Sequence, residues 1–286
     1  MARLIILGCG TPAPSLTRWG TAFLLGIGDE WLLFDCGPAT TYKMFRAGVR
    51  VTEVDHLFFT HHHSDHDSDY PCFLLTRFDL HTGKENPLNV YGPPPTERLT
   101  DQLMGEGRGA FWHDVVARTN HPMSLGAYRG RGGVGERKPP VIHARDLASG
   151  DVVNGNGWQV RAAEVAHAQP YLDSLGYRVD TEEGSVAFSG DTRPCKAMTE
   201  LARGVDLLVM ECILREPDMS EGSLIAETGS RGAAQTAVDS GAKKMVLVHQ
   251  NEMIDEPVAR SEVIADVKGI YDGPVIWGEE MLEIEV

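Results

Sequence analysis

Residues 56–66 constrain this chain more than any other stretch. The first five of them are mostly apolar or β-favouring, which predicts a buried strand. Four histidines and an aspartate then fall within residues 61–66, where that strand would end. Because open α/β sheets bind ligands outside the carboxyl ends of their strands, this pattern indicates a metal site in a cleft.

The spacing of these side chains favours two ions rather than one. His61 and His63 are two positions apart, so in extended backbone they share one face. Asp65 and His66 follow a turn and can face a second ion a few ångströms away. His62 falls on the opposite face and is expected to point away from the ions. Imidazole and carboxylate are ligands that zinc and its borderline neighbours accept.

Three further residues have a similar position relative to an apolar run. His167, Asp191 and His249 are each the first metal-ligating group after a strand-like segment. A single histidine at a strand end is usually structural. Several strand ends that all carry imidazole or carboxylate instead predict that these side chains meet at one edge of the sheets.

The motif His-x-His-x-Asp-His at residues 61–66 resembles the signature of the metallo-β-lactamase superfamily. The resemblance extends over nearly the whole chain. It implies an α/β fold in four αββα layers, in which two mixed sheets are flanked by helices. Four other segments look like the ribonuclease Z and arylsulfatase-like branch of that superfamily: residues 8–11, 35–37, 188–193 and 208–211.

The order of the predicted elements agrees with such a sandwich. Two successive blocks of strands and helices have similar order, which suggests a duplicated architecture. No compositional linker divides the chain, so a single domain over residues 1–286 is expected. Residues 105–140 form an insertion rich in glycine, arginine and aromatic residues. Long segments of this kind are commonly lids or disordered loops, and both states are expected alternatives here.

The resemblance also implies a role for each metal-ligating residue. Asp191 would bridge two ions, and Asp35 would orient one of the ligands through a hydrogen bond. Because the bridging residue is an aspartate rather than a cysteine, two Zn²⁺ ions are expected, with manganese or iron also admissible. The first ion would be held by His61, His63 and His167, and the second by Asp65, His66 and His249.

The predicted function is that of a metal-dependent hydrolase, in which a metal-bound hydroxide attacks a small ester-type substrate. Aryl sulfates, phosphodiesters, lactones and activated aromatic compounds belong to this class. A ribonuclease Z-like endonuclease that processes the 3′ end of tRNA is the first alternative. The second is a metal-binding or sensor protein, or a di-iron redox protein, of the same fold. Iron with visible absorbance would indicate the redox protein.

Three departures from the ribonuclease Z pattern favour the small substrate. Glu227-Thr228-Gly229 stands where the family has a His-Ser-Thr segment, whose histidine is thought to protonate the leaving group. The interval between His167 and Asp191 is short, although the family inserts its tRNA-binding arm there. The formal net charge is −15, with 26 Lys and Arg against 41 Asp and Glu, which opposes binding of a phosphate backbone.

The candidate catalytic residues are carboxylates. The resemblance implies that Asp65 accepts or orients the proton of the attacking water while it also acts as a ligand. Glu211 follows a buried strand and matches a glutamate of the family, and Glu227 occupies the place of the absent histidine. Either glutamate is a candidate general acid.

Composition also predicts partners and location. The expected partner is a small-molecule substrate, nucleic acid is not expected to bind, and a homodimer is left open. No signal peptide or membrane span is recognisable, so a cytoplasmic location without membrane attachment is expected. The five cysteines are scattered and lack Cys-x-x-Cys spacing, which is typical of reduced, mostly buried residues.

Overall fold

Two seven-stranded sheets form the centre of the protein, as seen in a computed structural model that describes residues 2–13 and 15–286. The strands of the first sheet are β1 (Arg3–Gly8), β2 (Ala22–Ile27), β3 (Glu30–Phe34), β4 (Val54–Phe58), β5 (Leu88–Gly92), β6 (Ile142–Asp146) and β14 (Glu283–Glu285). Those of the second sheet are β7 (Val152–Asn154), β8 (Trp158–Glu164), β9 (Leu175–Thr181), β10 (Ser185–Phe188), β11 (Leu207–Glu211), β12 (Met245–Val248) and β13 (Val275–Trp277).

Ten α-helices are found in the described residues. They are α1 (Thr40–Arg46), α2 (Ser64–Asp67), α3 (Tyr70–Leu80), α4 (Thr96–Met104), α5 (Trp112–Asn120), α6 (Pro122–Gly130), α7 (Lys196–Leu201), α8 (Glu221–Leu224), α9 (Ser230–Ser240) and α10 (Pro257–Lys268). No helix in this described part of the chain is long and apolar enough to cross a membrane.

Both sheets are mixed, and their strand orders correspond. The first runs β14-β1-β2-β3-β4-β5-β6 and the second β13-β12-β11-β10-β9-β8-β7. Strands β3 to β6 pair in parallel in the first sheet, and β10 to β13 do so in the second. The remaining pairs are antiparallel. Each half of the molecule therefore contributes a parallel block whose strands end at a common edge, which is where the fold can assemble a site.

The side chains of the central strands divide between two apolar layers. In β1, Leu4 and Ile6 belong to the core between the two sheets, whereas Ile5 and Leu7 belong to the core under the helices of the first sheet. A third apolar layer lies between the second sheet and its helices. Because both faces of these strands are covered, the strands are continuous apolar runs. This arrangement confirms the predicted αββα sandwich.

The insertion at residues 105–140 is helical, and the disordered loop expected as one alternative is wrong. Helices α5 and α6 pack against each other, and Arg118 and Arg131 both pair with Asp79 near the carboxyl end of α3. Arg137 is buried and lies over the ring of Phe78. These ion pairs order the segment. They attach it near the carboxyl end of α3, about 16 Å along that helix from its first residue.

Candidate metal centre

The histidine-rich turn joins β4 to two helices. After β4 ends at Phe58 the chain bends at Thr60, and the backbone is extended at His63, whose φ and ψ are −78° and 153°. Helix α2 then begins at Ser64, and the His66 amide donates to the His63 carbonyl at 2.9 Å. The change from extended to helical backbone turns the later side chains of the motif back towards the earlier ones.

A first cluster forms around His63. Its Nδ1 lies 3.1 Å from His61 Nε2 and 3.2 Å from His167 Nε2. Together with Asp191, these residues each offer one ligand atom, and the four atoms lie within 4.8 Å of one another. His167 follows β8 of the second sheet, so the cluster contains residues from both halves of the fold.

A second cluster forms around Asp65. Its Oδ2 lies 3.2 Å from His249 Nε2 and 3.5 Å from His66 Nε2. With Asp191, these residues again place four ligand atoms within 4.8 Å. His249 follows β12, and its side chain is almost fully buried. The ligand set of this second group is therefore enclosed by protein.

Asp191 is common to both clusters. It follows β10, is 4% exposed, and directs Oδ2 at imidazoles of both groups. A single carboxylate oxygen surrounded in this way has the geometry required of a bridging ligand. The distances from Asp191 Oδ2 to the Nε2 atoms are 3.2 Å for His249, 3.4 Å for His66, 3.6 Å for His61 and 4.0 Å for His167.

Asp35 organises two of the imidazoles. Its Oδ2 lies 2.8 Å from His66 Nδ1 and accepts from Thr60 Oγ1 at 2.9 Å, while its Oδ1 accepts from the Thr60 amide at 2.7 Å. Because the Thr60 hydroxyl donates to Asp35, it accepts from His61 Nδ1 at 3.1 Å. Both rings then use Nδ1 for these hydrogen bonds, which directs Nε2 at the cluster.

Two glutamates lie on the other side of the cluster. Glu211 is fully buried, and its Oε2 accepts from the Thr192 amide at 2.7 Å. Glu227 Oε1 lies 3.6 Å from His167 Nδ1, which is also 3.0 Å from the Ala226 carbonyl. Ligand atoms of Glu211, Glu227 and His249 lie within 4.8 Å of one another.

The electrostatics of the centre suit a cation. Burial lowers the pKa of His61 well below its usual value, so this ring is neutral and its Nε2 can act as a ligand. Burial alone would raise the pKa of Asp191, but His249 and His66 hold it well below its usual range. The pKa of Glu211 is raised well above its usual value by burial and by Glu227.

Several atoms of the cluster fit a bound metal ion. Within the described residues, Asp65 Oδ1, His66 Nε2 and His249 Nδ1 are buried and have no hydrogen-bond partner. A buried polar atom without a partner costs roughly 1–3 kcal/mol. An ion coordinated by His66 Nε2 would offset that cost at His66, and the mixed N/O donor set suits zinc.

The structure brings all seven predicted ligands together: His61, His63, Asp65, His66, His167, Asp191 and His249. It places Asp35 where a ligand-orienting residue was expected and directs His62 away, towards Asp67 and Thr96. Thr60 was missed, although a hydroxyl residue between a buried strand and a ligand was a signal. The roles of the seven residues as ligands stay a prediction.

A sandwich of two mixed sheets with a His/Asp cluster at the strand ends defines a class of metal-dependent hydrolases. The Beta-lactamase superfamily domain matches residues 30–250, and the chain belongs to that superfamily. It is an enzyme of this hydrolase class, and the His/Asp cluster indicates a metal site.

A ribonuclease Z from Mycobacterium avium (strain 104) is 31% identical over 256 residues, which cover 87% of this chain and 86% of the relative. The fold resembles the metallo-β-lactamase fold protein YhfI from Bacillus subtilis, with a TM-score of 0.77, 17% identity, and coverage of 100% of this chain and 99% of that one. It also resembles the short form of human tRNase Z (ELAC1), with a TM-score of 0.67, 21% identity, and coverage of 99% and 98%.

These relatives correct the prediction about partners. A small-molecule substrate with no nucleic-acid binding is contradicted, because a relative that matches most of the chain is named as a ribonuclease and a structural neighbour as a tRNase. The physical reason is that net charge sums the whole surface, whereas binding of a polyanion depends on one face, to which bound metal ions add positive charge. Of the functions predicted above, the relatives favour the ribonuclease Z-like alternative.

Proposed function

We propose that this enzyme is a ribonuclease Z-like phosphodiesterase that holds two zinc ions and cleaves RNA near its 3′ end, with precursor tRNA as the substrate class. The observation that carries the proposal is the position of Asp191 Oδ2, within 4.0 Å of the Nε2 atoms of four histidines. The ribonuclease names of its relatives support the choice of substrate.

In this proposal each ion has its own ligands and shares Asp191. His61, His63 and His167 hold the first ion, and Asp65, His66 and His249 hold the second. Two such ions supply positive charge to the scissile phosphate and an activated water nucleophile near neutral pH. Asp35 keeps the Nε2 of His66 directed at the cluster, and the Ala226 carbonyl does the same for His167.

Asp65 has a second task in the proposal. Its Oδ2 faces His249 and His66, whereas its Oδ1 has no hydrogen-bond partner among the described residues. The free Oδ1 can accept and orient the proton of the attacking water. The surrounding imidazoles keep the pKa of Asp65 below its usual range, against the effect of burial, so the carboxylate is ionised.

Glu211 and Glu227 provide the acid. A ribose oxygen is a poor leaving group and requires a proton as the P–O bond breaks. Thr192 occupies one oxygen of Glu211, and within the described residues Glu211 Oε1 and Glu227 Oε2 have no conventional hydrogen-bond donor. Because burial and the neighbouring Glu227 raise the pKa of Glu211, Glu211 holds a proton, which in this proposal reaches the leaving oxygen by way of Glu227, the more exposed of the two.

The segment between His167 and Asp191 affects how RNA would bind. Residues 168–190 contain only a short loop and the hairpin of β9 and β10, so this interval contributes no separate tRNA-binding arm. The proposed substrate contacts are therefore concentrated at the mouth of the metal site. We expect an acceptor-stem minihelix with a 3′ extension to be cleaved with kcat/KM similar to that of a whole precursor tRNA.

The test is cleavage of a 3′-extended precursor tRNA by the zinc-loaded enzyme, with metal content measured on the same samples. Asp191→Ala is expected to lower both zinc content and cleavage. Asp146→Ala is the matched control, since Asp146 also lies at the carboxyl end of a parallel strand but outside the cluster. It should keep both zinc ions and cleavage.

Two results would overturn the proposal. A fully zinc-loaded enzyme that hydrolyses bis(p-nitrophenyl) phosphate but leaves precursor tRNA and the minihelix intact would refute the RNA substrate. An Asp191→Ala variant that keeps two zinc ions would refute the bridging role.

A further inference from the structure

Arg18 is an arginine whose side chain is buried in the interior of the protein. It lies in the segment that joins β1 to β2, and its residue exposure is 5%. Its guanidinium reaches elements from both ends of the chain. Nη1 donates to Gln250 Oε1 at 2.7 Å, to the Gly278 carbonyl at 2.9 Å and to Cys9 Sγ at 2.9 Å, and Nε donates to Asp255 Oδ2 at 2.6 Å.

One of these partners, Gln250, directly follows His249. His249 has a φ of 58°, in the left-handed region that a non-glycine residue rarely adopts. Such a backbone costs of order 1–3 kcal/mol and persists only where its surroundings hold it. The surroundings here are the bonds of Gln250, whose amide donates to the Cys9 carbonyl at 3.0 Å and whose Nε2 donates to the Leu247 carbonyl at 2.6 Å.

Arg18 closes this arrangement. The Gln250 side chain donates from Nε2 to the Leu247 carbonyl, and its Oε1 accepts from Arg18. These two bonds together fix the orientation of the side-chain amide. The same guanidinium nitrogen donates to Gly278, whose amide donates to the Leu247 carbonyl at 2.9 Å. The residues on both sides of the left-handed His249 are therefore connected through one cation.

From this geometry we infer that Arg18 is a positioning residue for the metal centre: acting through Gln250, it holds the left-handed backbone of His249 and so directs Nε2 at the second ion. The inference rests on the ligand set in the proposed function. A lysine could not replace Arg18, because an ammonium on a flexible stem lacks the planar fork that reaches Gln250, Gly278 and Asp255 together.

The experiment measures zinc binding alone, by competition with a chromophoric chelator, on Arg18→Met and on a matched control. The control is Arg260→Met, because both guanidinium groups lie over the Trp277 ring, at 5.6 Å for Arg18 and 5.1 Å for Arg260, but Arg260 makes no bond to Gln250. We expect the dissociation constant of the second zinc ion to rise tenfold or more in Arg18→Met. The first ion, and both ions in Arg260→Met, should bind as in the parent.

A double-mutant cycle tests the route. Gln250→Ala keeps the Arg18–Asp255 ion pair, so it decides the question even if Arg18→Met does not fold. We expect Gln250→Ala to weaken the second ion similarly, and the combined variant to lose no more than the larger single effect. Unchanged zinc affinity in Gln250→Ala, independent and additive losses, or equal weakening of both ions would refute the positioning role.

A His249→Ala variant separates this inference from the proposed function. If His249→Ala keeps the second zinc ion, the ligand assignment itself is wrong. If His249→Ala loses that ion whereas Arg18→Met and Gln250→Ala keep it, the ligand assignment stands and only the role of Arg18 fails.

Discussion

Replacing Asp35 with asparagine should weaken zinc binding without changing the shape of the site. Asparagine is nearly isosteric and tolerates the left-handed backbone of Asp35, whose φ is 59°. Its amide oxygen can still accept from the Thr60 amide. Its amide nitrogen would then face His66 Nδ1, which now donates to Asp35 Oδ2 at 2.8 Å. Two donors would meet, so His66 must move its proton to Nε2, the atom proposed to bind the ion.

The size of the effect follows from the bond that is lost. A hydrogen bond to a charged group contributes about 1.5–3 kcal/mol. At 1.4 kcal/mol per tenfold change, this corresponds to a dissociation constant for the second zinc ion that is about 10- to 100-fold higher. His61 is affected less directly, because it contacts Asp35 only through the Thr60 hydroxyl. The first ion should therefore weaken less than the second.

The assay is chelator competition on metal-free protein titrated with zinc, with thermal unfolding of the metal-free form measured in parallel. Asp67→Asn is the control, since Asp67 makes a similar pair with His62 at 3.2 Å beside the cluster. An Asp35→Asn variant that binds both ions like the parent, or an equal loss in Asp67→Asn, would show that Asp35 does not set the protonation of the ligands.

Other consequences are also measurable. Removing metal with a chelator should lower the thermal midpoint, and zinc at a free concentration of 100 times its dissociation constant should restore about 2.7 kcal/mol of stability for each ion bound. An unchanged midpoint in a scanning fluorimetry series would contradict a metal-supported core. Glu227→Gln should lower kcat on RNA by roughly 100-fold but leave kcat on bis(p-nitrophenyl) phosphate unchanged, because that leaving group needs no proton. An equal loss of kcat on both substrates would show that Glu227 is not the general acid. Because residues 168–190 contribute no separate tRNA-binding arm, few phosphates should be neutralised, and log(kcat/KM) for RNA should fall only gently with log salt concentration. A steep slope in a salt series would reveal an extended basic surface instead.

Those features of the site that depend only on residues close together in the sequence could be predicted from it. The burial of β4 and the abrupt change to polar ligands both lie within residues 54–66. The spacing of His61 and His63 determines that they share a face in extended backbone. The same local rule located His167 after β8 and His249 after β12, because each follows an apolar strand.

The insertion shows where composition fails. Glycine and arginine content in residues 105–140 left a disordered loop open as one alternative, yet two helices form there. Their order depends on Asp79, which lies 39 residues before Arg118 and 52 before Arg131 in the chain. Net charge failed as a guide to substrate for a related reason, since a sum over the chain carries no information about where charges lie.

The amino-acid sequence by itself determined the strand ends, the ligand types and the superfamily, because these follow from interactions between residues a few positions apart. Only the tertiary structure decided which atoms meet. Asp191 Oδ2 faces four imidazoles because β10 lies beside β11 and packs across the core from β4, and Arg18 reaches Gln250 across 232 residues of chain. Such contacts depend on how the two sheets stack, and no local pattern encodes the distance between side chains that are brought together in this way.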